Sequence, residues 1–234
     1  MRAKEQKFPI SEVMSYAVAV QEYQGFVASG NGWDDHEADQ HRYDNKTLIL
    51  HMLEGGTDIQ TPEVTDEHRD MGNHVIEHFR TSLAFKKLGD TLNNFEERVA
   101  EFIGGDLVGR FGVSVAASLP NSYRIDEKRE QFKDQMDVYK YTSEFQGNIG
   151  AKLSMDVAII DMKFLRNFGN YVVTGVTDDK HIIKFFWNKD PDLTGVLEGK
   201  TINLIGRVKN HELSKYTNCN ETMLNYVKIL EIKG

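Results

Sequence analysis

Leu153-Ser154-Met155-Asp156-Val157-Ala158-Ile159 decides the fold, because its apolar residues recur at every second position. That period places Leu153, Met155, Val157 and Ile159 on one face of a β-strand, with Ser154, Asp156 and Ala158 on the other. Downstream the same pattern returns. Asn167 to Asn170 supplies a turn, and Tyr171–Val176 and His181–Trp187 read as a hairpin around Asp178-Asp179-Lys180. Asn188–Gly199 holds a proline, two glycines and no alternation, so it is a connector with room for one helical turn. Thr201–Lys209 alternates again, with Ile202, Leu204 and Val208 on one side and Asn203, Ile205, Arg207 and Lys209 on the other. A polar loop from His211 to Asn220 leads into a last strand, Thr222–Ile232.

Five strands within about 85 residues, the first of them long and the last preceded by a long loop, have the proportions of a five-stranded OB-type β-barrel. Upstream of Gly147 the period is helical. Ser11 is placed to cap a helix carrying Val13, Met14, Ala17, Val18 and Val20. Gly25–Gln40 is rich in glycine and acid and reads as a loop. Asp44 heads a short helix through Leu48, Leu50 and Leu53. A stronger helix follows Thr65-Asp66, with Met71, Val75, Ile76, Phe79 and Leu83 on one face and Gly89 as its stop. Another starts near Asn93 or Asn94 and carries Phe95, Val99 and Phe102. Leu107–Leu119 suggests a buried helix, with a strand at Val113–Ala116 as the alternative, and Pro120 as its end. Asp126–Tyr141 reads as a surface helix or linker. The expectation is an α+β chain: a mainly helical region over 1–145 and a barrel over 146–234.

Composition is that of a soluble globular protein, with 40% hydrophobic and 27% charged residues. The single cysteine, Cys219, excludes an internal disulfide and fits a reducing compartment. No apolar run approaches the ~18 residues of a membrane span, and no signal peptide is visible, so the expected setting is cytoplasmic (host cytoplasm for a viral protein). Net charge is -8, unevenly spread. From Gly147 onward 12 Lys and Arg accompany 10 Asp and Glu, whereas the preceding part has 16 against 26. A mildly basic module beside an acidic one suits a binder that is not purely electrostatic.

Gly199-Lys-Thr-Ile-Asn-Leu-Ile-Gly-Arg-Val-Lys-Asn-His211, then Tyr216, then Glu221-Thr-Met-Leu-Asn-Tyr-Val-Lys-Ile229 resemble the closing half of OB-fold single-stranded DNA-binding proteins of bacteriophage replication. Gly147-Asn-Ile-Gly-Ala-Lys152 looks like the matching entry to the first strand. The resemblance spans roughly the last 90 residues. It implies a non-enzymatic protein that binds single-stranded DNA, or RNA, during replication, recombination or repair, with no cofactor. Bacterial-type relatives of that class recruit partners through an acidic tail. Here the acidic N-terminal region is the expected docking part for replication or recombination proteins.

Binding a strand without sequence preference needs cations along a groove and rings on which bases stack. OB barrels offer these on their second and third strands and on the loops joining strands one to two and four to five. The candidates are Tyr171, Lys184 and Phe186 on the hairpin, and Lys163 and Arg166 in the first loop. Lys209, His211, Lys215 and Tyr216 lie in or beside the last loop, with Arg207 and Lys228 on its flanking strands. Alternation turns Lys184 and Phe186 outward, and Phe185 and Trp187 inward. Several of these rings are also suited to a barrel core.

Two other readings compete. In one, the barrel is a protein-interaction or assembly module of a replication complex. In the other, His74-Val-Ile-Glu77-His78 matches H-x-x-E-H, so that His74 and His78 share a zinc ion one helical turn apart and Glu77 acts as base. No third ligand is evident by spacing, and a surface histidine pair beside a core stripe explains the same residues. Asp34, Asp35, His36, Glu37, Asp39 and His41 form an acidic loop that is read as solvated rather than as a cation site. Gly104, Gly105 and Gly109 lack P-loop spacing.

Overall fold

A computed structural model of the chain describes residues 6–35, 40–89, 91–165, 167–188 and 197–233. The protein is α+β, in two compact units, Met1–Glu127 and Lys128–Gly234.

The first unit is helical: α1 (Ile10–Gln24), α2 (Asn45–Leu53), α3 (Asp66–Leu88), α4 (Asn94–Ile103), α5 (Arg110–Ala116) and the beginning of α6 (Leu119–Asp137). Strand β1 (Phe8–Pro9) pairs with β4 (Leu107–Val108), and β2 (Trp33–Asp35) with β3 (Gln40–Arg42). Caps fall where short polar residues precede apolar runs. The Asp44 carboxylate accepts the Thr47 N–H at 3.0 Å, Thr65 caps α3, and Asn93 with Glu96 forms a capping box on α4. Ser11 lies inside α1 instead of capping it. Pairing of β1 with β4 keeps the chain extended through Pro9, and the Ile10 N–H donates to the Asp106 carbonyl. Pro120 does not end a helix but sits in the first turn of α6, where its missing N–H is no loss.

Val13, Met14, Ala17 and Val20 of α1 meet Val75, Ile76, Phe79 and Leu83 of α3, with Leu48, Val99, Phe102 and Val113 completing one core. Gly72 brings the two helices close, since a Cβ there would stand 3.1 Å from the Ser15 nitrogen. Its neighbour Met71, expected in the core, therefore points away and is exposed, as is Phe95 at the start of α4.

The second unit holds β5 (Lys152–Leu165), β6 (Asn170–Val176), β7 (Ile182–Trp187), β8 (Thr201–Leu213) and β9 (Asn220–Lys233). They close into a barrel in the order β5-β6-β7-β9-β8, with β7 and β9 parallel and every other pair antiparallel. This is an OB-type arrangement. The length of β5 closes the barrel: Lys152–Ala158 pairs with β8 and Ala158–Leu165 with β6, across a bulge between Ile159 and Asp161. Val157, Ile159, Val173, Ile183, Phe185, Trp187, Ile202, Leu204, Val208 and Leu224 fill the interior, following the alternation of the sequence. Gly175 is required there, because a Cβ would fall 2.5 Å from Val157 Cγ1 and 2.7 Å from the Ala158 carbonyl oxygen.

Two boundaries differ from expectation. The loop expected over His211–Asn220 is shorter, confined to 214–219, because His211, Glu212 and Leu213 pair with Thr222, Glu221 and Asn220. The compact unit holding the barrel starts at Lys128, ahead of residue 146. Met136 of α6 is buried with Val176, Ile182 and Cys219 in a small cluster outside the barrel interior. The Ser143 hydroxyl then bridges two strands, donating to the Asn220 carbonyl at 2.7 Å and accepting the Ile182 N–H at 2.9 Å. The connector expected within Asn188–Gly199 falls largely outside the described residues. Among the described residues no helix is long and apolar enough to cross a membrane.

Candidate nucleic-acid interface

Residues directly opposite on neighbouring strands share a face. Lys163 of β5 opposes Val172 of β6, which opposes Phe186 of β7, so these three form one row on the outside of the barrel. Phe186 is 45% exposed between the buried Phe185 and Trp187, the outward orientation that alternation requires. Lys209 of β8 holds its Nζ 5.9 Å from the centre of the Phe186 ring. Both Lys163 and Lys209 lie within strands rather than loops, and both are exposed.

The next row, Phe164–Tyr171–Trp187, lies on the interior side at one end of the barrel. Tyr171 is thus partly buried, its ring 4.9 Å from that of Phe164. The turn beyond β5 carries Phe168, which is 72% exposed. Phe164 and Phe168 are rings that a charge-led reading of this loop passes over. The signal was three aromatic residues within eight, around the turn at Gly169. Arg166 lies outside the described residues.

Other candidates have partners of their own. Lys184 faces outward, yet its Nζ is 2.7 Å from the buried Glu221 carboxylate. In the same outer row Asp161 is half-buried, and burial lifts its carboxyl above the ordinary range against the lowering pull of Lys163, Lys184 and Lys128. His211 stacks on Phe145 with ring centres 4.7 Å apart. The Tyr216 hydroxyl donates to the Arg129 carbonyl at 3.0 Å, fastening the β8–β9 turn to α6. Arg207 is exposed and donates to the Gly150 carbonyl at 3.3 Å. Lys215 and Lys228 are exposed. At the far end of β9, Lys233 and Asn203 both bond Asp156, and the Lys233 ammonium is the main cause that holds this carboxyl below its ordinary range.

In the first unit the H-x-x-E-H residues are occupied with packing. His74 and His78 both set their rings edge-on to Tyr123, at 5.6 and 5.0 Å. Glu77 pairs with Arg80. Among the described residues no group of three or more His, Cys, Asp or Glu side chains could hold a metal ion. The acidic loop around His36, Glu37 and Asp39 lies outside the described residues, as do the side chains of Asp34, Asp35 and His41. Cys219 is buried and packs with Met136, and burial pushes its thiol up, away from a reactive thiolate. No protein-family model, curated protein or solved structure matches the chain significantly.

Proposed function

We propose that the barrel binds single-stranded DNA without catalysing a reaction on it, as a protein of phage-like replication, recombination or repair. The observation that carries this reading is the outer row Lys163–Val172–Phe186 with Lys209 over the ring, to which the exposed Phe164 at the end of the barrel and Phe168 in the turn beyond it add further rings. Rings accept bases of any identity, and cations a few ångströms away reach the phosphates between them. The cations are few, which fits an acidic chain whose affinity rests largely on stacking. The helical unit takes the protein-facing role. It carries most of the acid and exposes Phe85, Leu88 and Phe111, apolar surface suited to replication or recombination partners.

Anisotropy titration of labelled oligothymidylate, the same length of RNA and a duplex tests the reading. Salt-sensitive binding to single strands, with the duplex much weaker, is the expected result. Failure of every single strand to bind at low salt would leave the barrel as a protein-interaction module.

A further inference from the structure

The pairing of β9 with β8 slips at more than one point, and at one of them, Tyr226, the backbone also turns left-handed. Leu224, Val227 and Ile229 all face the barrel core, so Asn225 and Tyr226 both fall outside. The pairing with β8 shifts at the same point, Arg207 opposing Asn225 and Ile205 opposing Lys228, which leaves one extra residue on β9. This is a β-bulge. Tyr226 takes φ 53°, in the left-handed region, which is sterically costly for a bulky L-residue. Among the described residues the other non-glycine positions with positive φ, Lys180 and Asn218, lie in connections between strands, whereas Tyr226 is inside a strand. Glycine or asparagine would occupy this position with less strain. The strained backbone carries a ring that is 84% exposed, so burial does not compensate for the conformation.

The surroundings are basic. Asn225, Arg207 and Lys152 form one outer row across β9, β8 and β5, and Lys228 is on the row beside it. Arg207, Lys152 and Lys228 are exposed, and none is in an ion pair among the described residues. Phe186 is one residue beyond the last parallel pair, Phe185 with Leu224, so it stands level with Asn225 on the adjoining strand. The row Lys163–Val172–Phe186 therefore continues into Asn225–Arg207–Lys152.

We propose that Tyr226 is a second stacking station for the same DNA strand, which passes from Phe186 across β9 to Tyr226, with Arg207, Lys228 and Lys152 holding the phosphates on that side. The proposal rests on the single-stranded DNA reading and extends the bound path from the β6–β7 face onto β8 and β9. The bulge is the device: it turns outward a ring that a regular strand would send into the core. Strain stored at one exposed aromatic is then explained by ligand contact.

The test uses the full chain and labelled oligothymidylate. Tyr226→Gly should bind about fivefold to a hundredfold more weakly, the loss of one base–ring stack. It should melt at the parent temperature or higher, because glycine accepts the left-handed backbone. Tyr226→Phe should keep most of the affinity. Arg207→Ala should flatten the salt dependence by about one phosphate, whereas Tyr226→Gly should leave the slope unchanged. Parental affinity in Tyr226→Gly, alongside a loss in Phe186→Ala, overturns the second station and leaves the DNA-binding reading standing. A lower melting temperature in Tyr226→Gly also overturns it, making the ring a structural support. If the parent itself fails to bind the oligonucleotide, the functional reading falls first.

Discussion

Lys184 and Phe186 stand two residues apart on the same face of β7 and meet different surroundings. Alternation was sufficient to turn both outward, and the burial pattern of the strand agrees. It could not show that Lys184 meets Glu221, because the partner comes from a strand paired in parallel and distant in sequence. The two positions should therefore fail differently. Lys184→Met leaves a buried carboxylate without its counter-charge and is expected to destabilise the fold by about 1–3 kcal/mol. Oligonucleotide affinity of the folded protein should change by less than about twofold, since the lysine is already neutralised. Phe186→Ala reverses the pattern. Stability should stay within about 0.5 kcal/mol of the parent, as at other exposed sites, and binding should weaken by ~1–3 kcal/mol. Thermal melts paired with anisotropy titrations separate the cases. Reversed outcomes would make Lys184 the ligand and Phe186 the support. Tyr216 belongs with Lys184: its polar neighbours suggested a free ring, and the bond to the Arg129 carbonyl that restrains it joins residues remote in sequence.

At the scale of elements, strands with strict alternation were legible and strand ends were not. Residues 211–213 and 220–221 are polar or mixed, and nothing in their own composition marks them as strand; pairing across the hairpin decides it. Likewise α6 reads as a charged surface helix, with only Phe132 and Met136 to show that its second half covers apolar wall residues. The cluster makes a prediction about fragments. Lys128–Gly234 should fold alone as a β-rich unit with one cooperative melt. Gln146–Gly234 loses Met136 and the Ser143 bridge, and so exposes Val176 and Ile182. Exposing a buried Val or Ile side chain costs about 1.5–3 kcal/mol, and Ser143 no longer satisfies the Ile182 N–H and the Asn220 carbonyl. The shorter fragment should therefore melt well below the longer one, or without cooperativity. Equal melting temperatures by circular dichroism would remove α6 and Ser143 from the account of barrel stability.

For the whole molecule the governing quantity is where charge lies rather than how much there is. The net charge of -8 opposes a polyanion, and only the uneven division between the two parts was visible before the barrel closed. Closure gathers Lys163, Lys209, Arg207 and Lys152 onto one continuous outer belt, while Lys184 and Lys233 are taken up by Glu221 and Asp156. The four cations of the belt, with Lys228 on the neighbouring row, set an upper bound of about five on the phosphates neutralised. Each contact with a single strand contributes roughly 0.7 to the slope of log affinity against log salt, so a slope between about -2 and -3.5 is expected. Stacking releases no counterions, and a measurable affinity should therefore survive at the highest salt. Position on the belt should matter more than charge alone. Lys209→Glu places an anion beside Phe186 and is expected to weaken binding by about tenfold or more at low salt, with a shallower slope. Lys215→Glu makes the same change of charge in the β8–β9 turn, off the belt, and should cost appreciably less. Equal losses from the two substitutions would mean that the strand responds to the overall field and not to this path. A steep slope with no affinity left at high salt would remove stacking as the main term.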